Sequence, residues 1–390
     1  MSSQRRDLFS SFRIGSKQTK NRFVLPGMQL GCIVDNGPRQ ALIDYYSRCV
    51  AGGIGILITE ALAIGHPSAT WHDGGFLIER TASAWKQAVD AVHAENGLIL
   101  TQLFHEGAIR KEGLGGPFPG YPTLSPSGLF NEGKPNGRAA TREELGEIRD
   151  SYVGSALLAQ RIGADGVEVH SAHGYFLDQF LWEKTNLRED EYGGAAITSR
   201  ARYLAEIVTG IREATGPDFI ISVRFSQWKE VDLEAHIVAS PDELKSLVRV
   251  LTDAGADLLH VSTRRFFEPE WEGSDLGLAG WTKSFSSIPV IANGSVGLSA
   301  DVMSTFLGQD KIESTAEQSL KELNRRFANN EFDLISVGRS VIGDQEWVNK
   351  VQHGLFAKIR PFDRSQLAAA TEGWDLGVIG ETHGLTKRQE

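Results

Sequence analysis

A chain of 390 residues with 41% hydrophobic and 23% charged side chains has the balance of a folded globular protein and is too long for one small core. Its formal charge of -10, with no Lys/Arg-rich run, argues against nucleic-acid binding, and no apolar stretch reaches the roughly 18 residues of a membrane span. Two cysteines, Cys32 and Cys49, make no framework, and residues 1–6 lead into no apolar signal-peptide run, so a reduced, cytoplasmic setting is expected.

In chain order, short β-branched runs alternate with longer amphipathic ones. A strand at residues 22–26 is followed by a helix at 38–51, a strand at 55–61 by a helix at 81–95, and a strand at 98–105 by a helix at 141–162. Next come strand 166–172 with helix 199–214, strand 219–226 with helix 240–254, and strand 258–262. Strand 289–295 precedes helix patterns at 298–307 and 315–329, and strand 333–339 precedes one at 344–353. Thr141 and Ser240 each stand three residues before an acid, as helix caps do, and Gly52, Gly97, Gly163, Gly216 and Gly255 stop helices before the next strand. Eight strands with crossover helices predict a closed (β/α)8 barrel as a single domain over 1–390. An open doubly wound sheet is the alternative, weakened because no Gly-x-Gly-x-x-Gly follows the first strand. Residues 106–140, rich in Gly and Pro, are expected to lie over the barrel mouth as a lid. A helical insertion at 308–330 separates strands seven and eight, and the tail 360–390 has little periodicity.

In such a barrel the chemistry sits at the C-terminal ends of the strands. Those ends carry Met28 and Gln29, Thr59 and Glu60, Gln102 and His105, His170 and His173, Arg224, Asn293-Gly294-Ser295 and Gly338-Arg339. The loops after strands seven and eight form the usual phosphate site of this architecture. There, Gly294 and Gly338 would let backbone N–H groups approach an anion, and Arg339 would fork it. The bland reading is ordinary turn glycines and a surface charge. Gln102 and Arg224 could be a satisfied core amide and an ion-pair partner. Facing the same mouth, they suit a heterocycle with imide-like edges that becomes anionic. "HSAHGY" spaces His170 and His173 neither as a zinc helix nor as a strand pair. After a strand end, two neutral imidazoles can instead donate to one oxygen, with Tyr175 as a proton donor.

The block "GVEVHSAHGYFLDQFLWEKTNLREDEYGG", with "NRFVLPGM", "TQLFHEG", "RFSQWK" and "DLISVGRSVIGDQEW", resembles the Old Yellow Enzyme family of FMN-dependent ene-reductases. The resemblance runs from about Asn21 to Trp347. It implies FMN in the barrel mouth, NADH or NADPH as reductant, and an enone or other activated alkene as substrate. By position, it implies that His170 and His173 hold the substrate oxygen and that Tyr175 protonates the α-carbon. Gln102 and Arg224 would meet the flavin's pyrimidine side, Pro26, Gly27, Met28 and Ala61 its ring, and Gly294, Ser295, Gly338 and Arg339 its phosphate. Gln29 stands where many members carry Thr or Cys beside the flavin. No metal is expected, and the chain is expected as a monomer or a homo-oligomer such as a dimer. A non-redox barrel lyase or isomerase acting on a phosphorylated substrate is the rival enzyme reading, though no strand-end lysine is evident for Schiff-base work. A flavin-binding protein without turnover is the rival non-enzyme.

Overall fold

The structure is a computed structural model that describes residues 7–70, 74–110, 118, 120–307, 312–364 and 366. Eight strands close into a barrel: β1 (Phe23–Leu25), β2 (Ile56–Ala63), β3 (Leu98–Phe104), β4 (Gly166–His173), β5 (Ile220–Lys229), β6 (Leu258–Ser262), β7 (Val290–Asn293) and β8 (Leu334–Ser336). Every neighbouring pair is parallel and follows chain order, with β8 returning to β1. The crossover helices are α1 (Gln40–Ala51), α2 (Ala82–Ala94), α3 (Arg142–Arg161), α4 (Arg202–Thr215), α5 (Pro241–Asp253), α6 (Leu278–Phe285) and α7 (Ala316–Ala328), with α8 (Trp347–Gln352) after β8. A short helix, Val302–Leu307, joins α7 between β7 and β8. Among the described residues no helix is long and apolar enough to cross a membrane.

Period-two alternation builds the barrel in layers. Val24, Ile56, Ile58, Leu100, Ile220, Leu258, Ile291 and Leu334 fill its lower interior as a small apolar cluster. Ile14, from an antiparallel hairpin of Phe12–Ile14 with Lys17–Thr19, joins this cluster. The alternate residues, Leu57, Ile99, Val167, Ile221, Leu259 and Ile335, belong to the larger core beneath the helices. Each such buried Leu or Ile contributes about 1.5–3 kcal/mol. One step up the strands the inward positions turn polar, which sets the depth of the site.

Local signals act as expected at two helix starts. The Thr141 hydroxyl accepts from the Glu144 N–H (3.2 Å) and the Glu144 carboxylate from the Thr141 N–H (2.8 Å); Ser240 caps α5 with Pro241 at its first turn. At two helix ends the stopping residue shifts by one. Gly53 (φ 111°) and Asn96 (φ 57°) hold the left-handed positions, not Gly52 and Gly97. Gly52 is needed for another reason: a Cβ there would lie 1.8 Å from the Gln345 carbonyl oxygen.

After β3, the described part of 106–140 makes two small sheets, Leu124–Ser125 with Arg138–Ala139 and Leu129–Asn131 with Lys134–Pro135. It docks on the loops after β4 and β5: Arg188 donates to the Pro126 and Ala140 carbonyls, and the Asn131 amide to the Val231 carbonyl (3.2 Å). Of the tail, Phe362 is buried and packs where a Gly343 side chain would stand, while residues 367–390 lie outside the described residues, as do 308–311 of the expected insertion.

Candidate active site

The polar layer begins with Glu168 on β4, wholly buried. Its carboxylate accepts from the Gln102 amide (2.8 Å), the Ser222 hydroxyl (3.0 Å) and His260 Nδ1 (2.7 Å). Burial opposes its charge, but His260, Arg224 and Gln102 outweigh that and hold the acid at about 2. Burial and Arg224 keep His260 neutral despite the carboxylate. It therefore donates from Nδ1 to Glu168, and its Nε2 lies 3.1 Å from the Ser336 hydroxyl. None of Glu168, Ser222, His260 and Ser336 was anticipated from the sequence. The signal was there: alternation puts Glu168 on the face of His170, and His260 stands opposite Arg224 in the ladder.

Arg224 sits above that layer, buried, with long contacts to the Gly27 carbonyl (3.4 Å) and the Ser262 hydroxyl (3.3 Å) and with its Nε unpartnered. Beside it, β2 carries a bulge: Ile58 pairs with Leu100 but Ala61 with Gln102, so Thr59 and Glu60 face a single residue. The bulge lets the Thr59 hydroxyl accept from the Gln102 N–H (3.1 Å). Gly27 is required where it is, because a Cβ would lie 2.7 Å from both Gln102 Nε2 and the Thr59 carbonyl. Pro26, Gly27, Met28, Ala61, Gln102 and Arg224 are thus brought together, whereas Gln29 is exposed at the rim. Under that rim Glu60 accepts from the Leu30 N–H, and burial lifts it to about 7.

His170 and His173 converge as expected, their rings 5.4 Å apart. His173 takes a left-handed backbone (φ 65°), unusual for a non-glycine and held by its partners. The Ser226 hydroxyl accepts its N–H (2.9 Å), the Glu230 N–H donates to its carbonyl (3.2 Å), and its ring lies 4.5 Å from that of Trp228, tilted by 32°. Burial, reinforced by Arg224, pushes both imidazoles down, His170 to about 3, so both are neutral. His170 Nδ1 is buried without a partner. The Ser262 hydroxyl receives Arg224 and the Asn293 amide (3.3 Å each), so its own hydrogen goes to His173 Nε2 (2.8 Å) and that ring keeps its proton on Nδ1. The Tyr175 ring lies 5.4 Å from His170 and 4.8 Å from Phe104.

Behind this turn lies a fully buried ion pair, Lys229 with Asp178 at 2.8 Å. Asp178 also accepts the Gly174 N–H (2.5 Å), and Lys229 donates to the Ser226 carbonyl (3.2 Å). The expectation of no lysine at a strand end is corrected here. β5 runs on to Lys229, three residues past the expected end, and the amine is committed to Asp178 behind the turn.

At the ends of β7 and β8, Gly294 (φ 152°) and Ser295 (φ 50°) turn tightly and Gly338 precedes a short helix, Arg339–Gly343. A Cβ on Gly294 would lie 2.7 Å from the Phe266 nitrogen. Arg339 is braced by the Asp301 (2.9 Å) and Ala300 (3.1 Å) carbonyls and the Ser295 hydroxyl (3.1 Å), and it touches the Thr305 hydroxyl. Burial lowers Arg339 to about 10, leaving it cationic. One surface depression, about 610 Å³ and lined by Leu77, Ile78, Ser155 and Arg161, lies away from this mouth along α3 and offers no comparable convergence of polar groups.

These residues fit FMN. Arg224 Nε and His170 Nδ1 are buried polar atoms with capacity to spare, Gly27 and Gly338 keep the mouth clear, and a buried cation, Arg339, stands at the ends of β7 and β8, where a phosphate would be received.

Comparisons with known proteins agree. A family model described as NADH:flavin oxidoreductase / NADH oxidase family matches residues 7–358. An NADH oxidase of Thermoanaerobacter brockii is 30% identical over 369 residues, covering 91% of this chain and 52% of its own. An NADPH dehydrogenase of Clostridium acetobutylicum is 28% identical over 339 residues, covering 85% and 94% respectively. The crystal structure of Old Yellow Enzyme from Pichia sp. AKU4542 superposes with a TM-score of 0.75 at 27% identity, over 95% of this chain and 94% of that one. The chain spans about half the length of the first curated relatives it matches, 52% and 50%.

Proposed function

This chain belongs to the NADH:flavin oxidoreductase / NADH oxidase family, that of the Old Yellow Enzymes, and on that premise we propose that it reduces the C=C bond of α,β-unsaturated carbonyl compounds with NAD(P)H. The observation that carries the reading is a pair of neutral, buried imidazoles converging beside a phenol, His170 and His173 with Tyr175.

FMN, when bound, supplies the hydride chemistry between NAD(P)H and the alkene. The protein groups do the rest. Gly294, Ser295, Gly338 and Arg339 would hold the FMN phosphate, and Gln102 and Arg224 the polar edge of its ring. Because Glu168 is ionised and can only accept, it fixes the orientation of the Gln102 amide: one N–H goes down to Glu168, leaving the carbonyl and the second N–H for the ligand. Arg224 adds a fixed positive charge. Two neutral N–H donors, Nδ1–H of His173 and the ring of His170, meet the substrate's carbonyl oxygen. They draw electron density from the alkene and leave its β-carbon electron-poor. Tyr175 then gives its phenolic proton to the α-carbon. Tyr175 is well suited to this, because burial and then Glu230 raise its pKa and keep the proton on it at neutral pH.

The test is anaerobic. NADH or NADPH should bleach the flavin absorbance of the purified protein, and cyclohexenone should restore it. Protein that binds FMN and is bleached by NAD(P)H, but whose colour no enone restores, would overturn the reading.

A further inference from the structure

Glu168 is an acid where the barrel has least structural use for one. It is wholly buried, and its donors Gln102, Ser222 and His260, from β3, β5 and β6, are all neutral. A neutral side chain would cost less to bury, because an ion in the interior gives up its hydration. The formal cation that helps to stabilise it is Arg224. Arg224 lies two residues beyond Ser222 on β5, so it shares the inward face one layer nearer the mouth. In the ladder it stands opposite both His170 and His260.

Arg224, with its unpartnered Nε, is the group that would meet the polar edge of the flavin ring. That edge gains negative charge when the ring is reduced. A buried guanidinium with nothing behind it would therefore hold reduced FMN far more tightly than oxidised FMN. A flavin held in that way takes up hydride readily and gives it up poorly. Glu168 places a negative charge behind the positive one. The opposition is already visible at a third residue in the mouth: Arg224 disfavours protonation of His170, and Glu168 favours it. The imidazoles of His170, His173 and His260 are neutral, and Lys229 is committed to Asp178.

We propose that Glu168 sets the reduction potential of the flavin, as a counter-charge that acts from beneath Arg224. It is a positioning residue with an electrostatic task. Arg224 can then orient the edge of the ring, while Glu168 withholds most of the preference that a lone cation would give the reduced form. The same carboxylate fixes the Gln102 amide, so one buried acid governs both groups assigned to that edge. The inference needs FMN in the mouth and is indifferent to which alkene is reduced.

The experiment measures the potential of the FMN-loaded full chain by anaerobic dye equilibration, comparing wild type, Glu168→Gln and Ser222→Ala, with no alkene present. Glu168→Gln removes the charge and keeps the shape, and the Ser222 hydroxyl and the other tautomer of His260 can accept from its amide. Arg224 stays cationic, its pKa lying far above neutrality. Glu168→Gln should favour reduced over oxidised FMN at least about tenfold more than wild type does, which for a two-electron couple raises the potential by about 30 mV. Ser222→Ala takes one hydrogen bond from the carboxylate and leaves its charge, so its potential should stay with wild type. An unmoved or lowered potential in Glu168→Gln, or an equal rise in Ser222→Ala, would overturn the proposal. Wild type gives a second reading should the amide variant not fold. Its potential should lie no more than about 30 mV above that of free FMN, reduced FMN being bound at most about tenfold more tightly than oxidised. A larger rise would mean that Arg224 acts without a counter-charge. Neither measurement involves cyclohexenone, so failure here would leave the enone reading intact, and failure of the enone reading would leave this proposal standing.

Discussion

Replacing Lys229 by Met tests how firmly the histidine turn is held. In the native protein Nζ lies 2.8 Å from Asp178 with both side chains wholly buried, and Asp178 in turn receives the Gly174 N–H. Methionine fills a similar volume but leaves the carboxylate with a single backbone donor. Breaking a buried pair by removing one partner costs about 3–5 kcal/mol. The pH dependence gives the sign. Burial raises Asp178 from 3.8 to about 6 even though Lys229 opposes it. Because the folded pKa is the higher one, the carboxyl costs nothing below its unfolded pKa of about 4. Its cost grows by roughly 1.4 kcal/mol per pH unit up to the folded value, or about 3 kcal/mol in the native protein. Between about pH 4 and pH 6 that cost grows alike in both proteins; without Lys229 the folded value rises further, so the deficit of Lys229→Met should widen only above about pH 6. Denaturant unfolding at several pH values measures this. Adding Asp178→Asn, which keeps an acceptor for Gly174 and removes the charge, should recover most of the loss. The alkene step should suffer more than the NAD(P)H step, because the loosened residues are Gly174 and its neighbours His173 and Tyr175. A Lys229→Met protein within about 0.5 kcal/mol of wild type at every pH would refute this account of the pair.

Two further outcomes follow from the mouth itself. Tyr175→Phe keeps the ring contact with Phe104 and removes the hydroxyl, so flavin reduction by NAD(P)H should be near normal while re-oxidation by cyclohexenone slows on the order of 10²-fold. Equal slowing of both steps in stopped flow would make Tyr175 structural. Arg339→Ala deletes a buried cation and its bonds to Ser295, Ala300 and Asp301, and equilibrium dialysis should show FMN held at least about tenfold more weakly.

The barrel was legible because its signal recurs: eight short β-branched runs, all but the sixth followed by a helix-period run, five of these ended by a glycine. What escaped were elements without that repetition. α6 is eight residues long, starts without a side-chain cap and contains Gly280, so neither period nor punctuation marks it. The hairpin at Phe12–Thr19 precedes the first repeat, and its importance lies in Ile14 joining the lower interior of the barrel, a tertiary fact. Gly52 read as a helix stop because stops are what glycines after helices usually are. Its actual constraint is the Gln345 carbonyl, nearly 300 residues away in sequence.

The site divides along the same line. His170, Gln102, Arg224 and Arg339 could be found because a polar residue at a strand end has one plain meaning in this architecture. Glu168 lies only two residues before His170, yet inside a strand an acid reads as an exception, and whether it is satisfied depends on partners from three other strands. Those partners, Gln102 on β3, Ser222 on β5 and His260 on β6, sit at neighbouring levels of the ladder. Each looks incidental alone. Together they hold a carboxylate ionised in the barrel interior, and that negative charge sits beneath Arg224, whose positive charge helps to stabilise it. The coupling runs both ways: Arg224 helps keep Glu168 charged, and Glu168 opposes the loss of charge that burial would impose on Arg224. A neutral residue at 168 would therefore release the Gln102 amide and weaken the case for a cation at 224. The residues that were legible at the mouth depend for their state on one that was not.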